Sequence, residues 1–62
     1  MDQIIIGDEI KVFFSSHPPI VGIVNGMPSA IGDCWKLSTY DGFIIYIQQY
    51  DYLIKLKNNS EA

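Results

Sequence analysis

The sequence predicts an all-β fold, a small five-stranded antiparallel barrel, and two features of its composition favour this class. Eleven Ile, three Val, one Thr and eight aromatic residues, which pack well on a pleated sheet, make up 23 of the 62 residues. Ala, the best helix former, occurs only at Ala30 and Ala62. Turn-forming residues divide the chain into five short runs of strand character, and a nearly closed barrel leaves little of their edges exposed.

The first two strands flank a proline loop. Residues 9–14 alternate apolar with mainly polar side chains, which is the period of a strand. Pro18 and Pro19 end this strand because proline cannot donate a hydrogen bond to the ladder. Residues 20–24 form the second strand, where Gly22 indicates a bend or a close approach of backbones, as at a barrel corner.

The last three strands follow a long loop. Residues 25–33 lack a strand pattern, and residues 34–40 form the third strand. Asp41-Gly42 then predicts a tight hairpin whose two central residues both have positive φ. The fourth strand covers residues 43–48, and we expect Phe43, Ile45 and Ile47 to fill the barrel while Ile44 and Tyr46 point outwards. The fifth strand covers residues 52–57.

The length of the chain sets its domain organisation. We assign residues 1–57 to one β-barrel domain and residues 58–62 to a disordered tail. A core of this size supplies only about 3–5 kcal/mol of net stability, so association with a second chain is an expected source of stability.

Charge and composition exclude several partners and chemistries. The chain has four Lys, no Arg and a net charge of -3, which argues against duplex DNA because phosphate and guanine recognition rely on basic side chains. Single-stranded RNA stays a candidate because aromatic stacking carries much of that binding. His17 is the only imidazole, and the sequence contains no nucleophile set or metal-ligand spacing, so we expect no enzyme activity, no metal and no cofactor.

The cysteine content and the N-terminal residues favour a cytoplasmic protein. Cys34 is the only cysteine, so the chain cannot form an internal disulfide, and a small domain without disulfides suits a reducing compartment. The apolar run of residues 4–6 is too short for a signal peptide or a membrane span, so we expect no membrane partner.

Several short motifs carry a resemblance to a known group of small barrels. They are Gly7-Asp8-Glu9-Ile10-Lys11-Val12, Gly22-Ile23-Val24, Trp35-Lys36-Leu37 and Tyr40-Asp41-Gly42. This pattern resembles the Src-homology-three-like (SH3-like) barrels, which include the Sm-like and Tudor-like proteins. Within the group the chain is most similar to small Sm-like proteins of phages of marine bacteria, through His17-Pro18-Pro19-Ile20 and Met27-Pro28-Ser29-Ala30.

The resemblance implies a ring of identical subunits that associate through the edges of strands four and five, in the host cytoplasm if the chain is encoded by a phage. Exposed apolar residues point to the same kind of contact, because a contiguous apolar patch tends to mark an interface. The alternative is a monomer in which tails or loops cover the patch. We expect an oligomer interface at Phe13, Ile44, Tyr46 and Ile54.

Aromatic residues suggest a second site. Rings of this kind can stack on RNA bases or surround a methylated cation, although the alternative is ordinary packing in the core and at its rim. The chain lacks the Arg-Gly or Lys-His element that Sm proteins carry between strands four and five. Our candidate ligand or RNA-stacking residues are Trp35, Tyr50, Tyr52 and Lys55.

Together these observations predict a non-catalytic Sm-like interaction module, a homo-oligomer with single-stranded RNA as a candidate ligand. The alternative function is a protein–protein adaptor, monomeric or oligomeric, with a Tudor-like barrel and a host protein as its partner.

Overall fold

The computed structural model describes residues 3–29 and 33–57, so the tail predicted at residues 58–62 lies outside the described residues. The predicted all-β fold is confirmed: five antiparallel strands form one sheet in the order β4-β3-β2-β1-β5, with no helix in the described ranges. The Cα radius of gyration is 11.2 Å, close to the roughly 11 Å of a packed chain of this length. The strands are β1 (Glu9–Phe13), β2 (Ile20–Gly26), β3 (Trp35–Ser38), β4 (Ile44–Ile47) and β5 (Tyr52–Lys57).

The core lies on one face of the sheet, its inner face. Ile10 and Val12 of β1 are fully buried, and the intervening Glu9, Lys11 and Phe13 lie on the outer face, as the alternating sequence predicts. Partly buried apolar side chains from β2 to β5, together with Ile4 and Phe14, pack around the same cluster. The buried apolar residues are Ile10, Val12, Val24, Leu37 and Ile47.

Close contact between β2 and β3 explains the glycine within β2. A Cβ atom built on Gly22 would lie 3.0 Å from the carbonyl oxygen of Ser38 and 3.1 Å from Cβ of Leu37. Gly22 is also paired with Ile10 of β1 in the sheet register. The predicted close approach of backbones at Gly22 is therefore confirmed.

Several strand ends differ from the prediction. β1 ends at Phe13 rather than at residue 14, β3 begins at Trp35 rather than at residue 34, and β4 covers Ile44–Ile47 rather than residues 43–48. β2 continues to Gly26, because Gly26 pairs with Lys36 across a shift in the register that follows Val24. β3 ends at Ser38 rather than at residue 40, because the Thr39 hydroxyl bonds the backbone of the β3–β4 turn: its Oγ1 accepts from the Phe43 N–H at 3.1 Å. Side-chain bonds of this kind compete with the strand ladder.

The β3–β4 hairpin corrects the prediction for Asp41 and Phe43. Only Gly42 has a positive φ, 96°, and Asp41 does not. The Gly42 N–H donates to the Thr39 carbonyl at 3.1 Å, and the Thr39 N–H donates to the Phe43 carbonyl at 2.8 Å, so the loop has three residues. Phe43 closes this loop outside the core and is 65% exposed, whereas we predicted it to be inside. Ile45 packs against the core and Ile47 is buried, as predicted.

The sheet does not close into a complete barrel. Within the described residues β4 contacts only β3, and β5 contacts only β1. β4 and β5 are therefore the two edge strands of the sheet, each with one side of its backbone unpaired.

Candidate functional site

The first edge, that of β4, presents both apolar side chains and free backbone groups. The Thr39–Phe43 pair is hydrogen bonded, and the register pairs Ser38 with Ile44. Hydrogen-bonded pairs alternate along an antiparallel ladder, so the N–H and C=O groups of Ile44 and Tyr46 point away from β3. Their side chains are 44% and 64% exposed, respectively.

The second edge, that of β5, lies at the opposite end of the sheet. Its register pairs Tyr52 with Phe13 and Ile54 with Lys11, which places Tyr52 and Ile54 on the outer face. Ile54 is 43% exposed and Leu56 is 46% exposed. The four residues predicted for an oligomer interface are thus divided between the two edges: Ile44 and Tyr46 lie on β4, whereas Ile54 lies on β5 and Phe13 lies beside it.

The residues predicted to stack on a ligand do not form one platform. Trp35 packs against the core, and its indole Nε1–H donates to the Tyr50 hydroxyl at 3.4 Å. Tyr52 instead stacks on Phe13, with the ring centroids 4.5 Å apart and the planes at 15°. The structure therefore brings Trp35 to Tyr50, and places Tyr52 in a separate aromatic pair on the outer face.

Lys55, the fourth predicted ligand residue, is bound within the fold. Its Nζ lies 3.3 Å from Oδ2 of Asp8, whose side chain is only 1% exposed. The same ammonium group donates to the Gln3 carbonyl at 2.7 Å. A shift in the β1–β5 register between Glu9 and Ile10 accompanies this arrangement. The local pattern of β5 gave no signal for this contact because Asp8 is distant in sequence.

Two further lysines cover aromatic rings on the outer face. Lys11 Nζ lies 5.3 Å from the centroid of the Phe13 ring, and Lys36 Nζ lies 5.9 Å from that of Tyr46. Both distances fall within the range of cation–π contacts. These lysines therefore shield part of the aromatic surface next to each edge.

Tyr40 connects the β3–β4 hairpin with β1. Its hydroxyl donates to Oε2 of Glu9 at 2.6 Å, although the Tyr40 ring is largely exposed. This hydrogen bond raises the pKa of Tyr40 above its usual 10.0, and desolvation and the negative charge of Glu9 act in the same direction.

A pocket of about 330 Å³ lies between the β1–β2 loop and the β4–β5 loop. On the side of the β1–β2 loop, Phe14 and His17 line the pocket, and their rings are stacked with the centroids 4.2 Å apart. The Asp51 N–H donates to the Phe13 carbonyl at 2.9 Å, which holds the second loop against the end of β1. Of the described lining residues, the sequence placed only Tyr50 among the candidate site residues. These lining residues are Phe14, Ser15, Ser16, His17, Gln49, Tyr50 and Asp51.

The residues that the structure describes contain no group of three or more His, Cys, Asp or Glu side chains that could hold a metal ion. The same part of the chain has no helix long and apolar enough to cross a membrane. Cys34 is a free, partly buried thiol. In comparisons with protein-family models, with curated proteins and with solved structures, no match to this chain was found.

Proposed function

We propose that this protein is a non-catalytic interaction module that assembles by pairing the β4 edge of one copy with the β5 edge of the next. The observation that carries the proposal is the presence of two unpaired, apolar edge strands on one small domain. Exposed flat edges are a liability for a monomer, because their free N–H and C=O groups pair readily with another chain. Pairing between copies satisfies both edges at once.

The proposed contact joins two different edges rather than two like edges. A head-to-tail contact of this kind repeats from copy to copy and gives a ring if the rotation closes. It would place Ile44 and Tyr46 of one copy next to Tyr52 and Ile54 of another, which removes four exposed apolar side chains from water. The resemblance to Sm-like proteins supports the same arrangement, and the single cysteine supports the cytoplasm as its location.

Binding of single-stranded RNA is a second candidate, and one observation favours it. The Tyr50 and Tyr52 rings are 39% and 56% exposed on the two sides of Asp51, where bases could stack on them. The charge distribution favours it less, because Lys55, the one cation among the predicted ligand residues, is bound to Asp8. A filter-binding assay at low salt with U-rich and A-rich strands tests this candidate, which is rejected if neither strand is retained.

Variants with one altered edge test the assembly. Ile44→Lys places a charge on the β4 edge only, and Ile54→Lys places one on the β5 edge only, so each retains one intact edge. We expect each variant alone to lose the large assembly, and an equimolar mixture to form a 1:1 heterodimer through the two intact edges. Met27→Lys changes a residue that is 40% exposed in the β2–β3 loop and is the matched control.

The mixing experiment separates the possible symmetries. If copies instead contacted one another through like edges, one of the two variants would assemble as the unaltered protein does, and mixing would add nothing. That result, or a monomeric unaltered protein, would contradict the proposal and favour the adaptor function.

A further inference from the structure

The pocket between the β1–β2 and β4–β5 loops combines aromatic faces with a carboxylate. Phe14 and His17 form a stacked pair in one loop, and Tyr50 lies in the other. The Tyr50 hydroxyl accepts from the indole of Trp35 at 3.4 Å, and Trp35 is itself packed against the core, so this hydrogen bond links Tyr50 to the core. A pocket volume of about 330 Å³ suits a side chain or a small ligand rather than an extended surface.

The charge of the pocket is negative. Among the described residues that line it, Asp51 is the only acidic one and none is a lysine. The chain has no arginine, and three of its four lysines are held elsewhere, at Asp8, Phe13 and Tyr46. In the described residues the Asp51 carboxylate has no ion pair or side-chain hydrogen bond.

The aromatic rings and the Asp51 carboxylate of the pocket favour a cationic ligand over an anionic one. A phosphate group would meet the Asp51 carboxylate with no lysine or arginine among the described lining residues, which disfavours a nucleotide. A cation is attracted both by the carboxylate and by the negative faces of the aromatic rings. Arginine fits best, because its planar guanidinium stacks on rings and donates several hydrogen bonds at once. The hydroxyl and amide oxygens of Ser15, Ser16 and Gln49 are available to accept them.

We propose that this pocket binds the guanidinium group of an arginine side chain presented by a partner peptide. The guanidinium lies against the Tyr50 ring and is paired with the Asp51 carboxylate, and the stacked Phe14 and His17 rings bound its other side. The site is separate from the assembly through β4 and β5, because none of its described lining residues belongs to either strand.

Amide NMR titration of the full chain tests the site, with acetyl-arginine-amide as the probe. Acetyl-citrulline-amide has nearly the same shape without the charge, and uridine reports on binding of a nucleobase. We expect the arginine probe to shift the amide signals of residues 15–17 and 49–51 with a dissociation constant on the order of millimolar. The citrulline probe should bind at least about fivefold more weakly, since it lacks the charge that the carboxylate and rings attract.

Asp51→Asn removes the charge and keeps the backbone N–H that donates to Phe13. We expect it to weaken arginine binding by at least about fivefold, whereas Asp41→Asn, in the exposed β3–β4 hairpin, should leave binding unchanged. Equal binding of the two probes, tighter binding of uridine, or the same loss in both variants would overturn the proposal. The comparison of probes uses the unaltered protein, so it decides the question even if a variant fails to fold.

Discussion

The ammonium of Lys55 and the carboxylate of Asp8 are 3.3 Å apart in a nearly dry site, where the two side chains are 14% and 1% exposed. Asp8 Oδ2 also accepts from the Ile5 N–H at 2.9 Å, and Lys55 also donates to the Gln3 carbonyl. The Lys55–Asp8 ion pair therefore links the residues before β1 to the edge strand β5. A buried carboxylate of this kind depends on its partner, since an unpaired charge in such a site is costly.

Replacing Lys55 by Met should destabilise the fold strongly. The change leaves the Asp8 carboxylate buried without its cation, and we expect a loss of about 2–4 kcal/mol in the free energy of unfolding. Urea denaturation followed by tryptophan fluorescence measures it. The matched control is Lys57→Met, an exposed lysine on the same strand, for which we expect a change within about 0.5 kcal/mol.

The double variant Asp8→Asn with Lys55→Met should regain part of the lost stability, because a neutral amide can still accept from the Ile5 N–H. Equal stabilities of the Lys55 and Lys57 variants would show that the ion pair does not contribute.

Replacing Gly22 by Ala should also destabilise the protein, because the new Cβ would meet the backbone of Ser38 at 3.0 Å. We expect a loss of about 1–3 kcal/mol from overpacking between β2 and β3. Gly26→Ala is the control on the same strand: its Cβ would lie 3.2 Å from Cβ of Lys36, a side-chain atom rather than backbone, at the partly buried end of the strand. There we expect a change within about 1 kcal/mol. Denaturation midpoints that rank the two variants in the reverse order would contradict the assigned contact.

Tyr40 should ionise at a pH above its usual 10.0, since its neutral form donates to Glu9. The stabilisation from this raised pKa is fully present below pH 10.0 and is lost as the pH rises through the folded-state value. Absorbance titration of the tyrosinate signal checks this. Tyr40→Phe should remove one step of the tyrosinate absorbance titration, at a pH above 10.0. Glu9→Gln should lower the pKa of Tyr40. An unchanged titration curve in Glu9→Gln would argue against the hydrogen bond.

Local patterns were sufficient to predict most of the sheet. Alternation identified the inner residues Ile10 and Val12, and turn residues predicted the observed bounds of β5. The position of Phe43 was predicted wrongly because alternation does not show where the hairpin leaves the core layer. The alternation of side chains along a strand also does not reveal which residue, far away in the sequence, a side chain will contact.

The candidate sites depended more on tertiary structure. The sequence identified the exposed Ile44, Tyr46 and Ile54, since apolar residues on both faces of a strand are visible in the pattern. It could not place Lys55 at Asp8, because that contact arises from pairing between β1 and β5. The pocket was missed for the same reason: residues 15–17 and 49–51 meet only when the two loops fold together.

The solution mass of the unaltered protein tests the central claim most directly. Light scattering coupled to size exclusion, run over a range of concentrations, measures it against the 7.0 kDa of one chain. Edge-to-edge pairing predicts a closed multimer with a mass that is a whole multiple of this value and stays constant on moderate dilution. A 7.0 kDa species at every concentration would contradict assembly through β4 and β5.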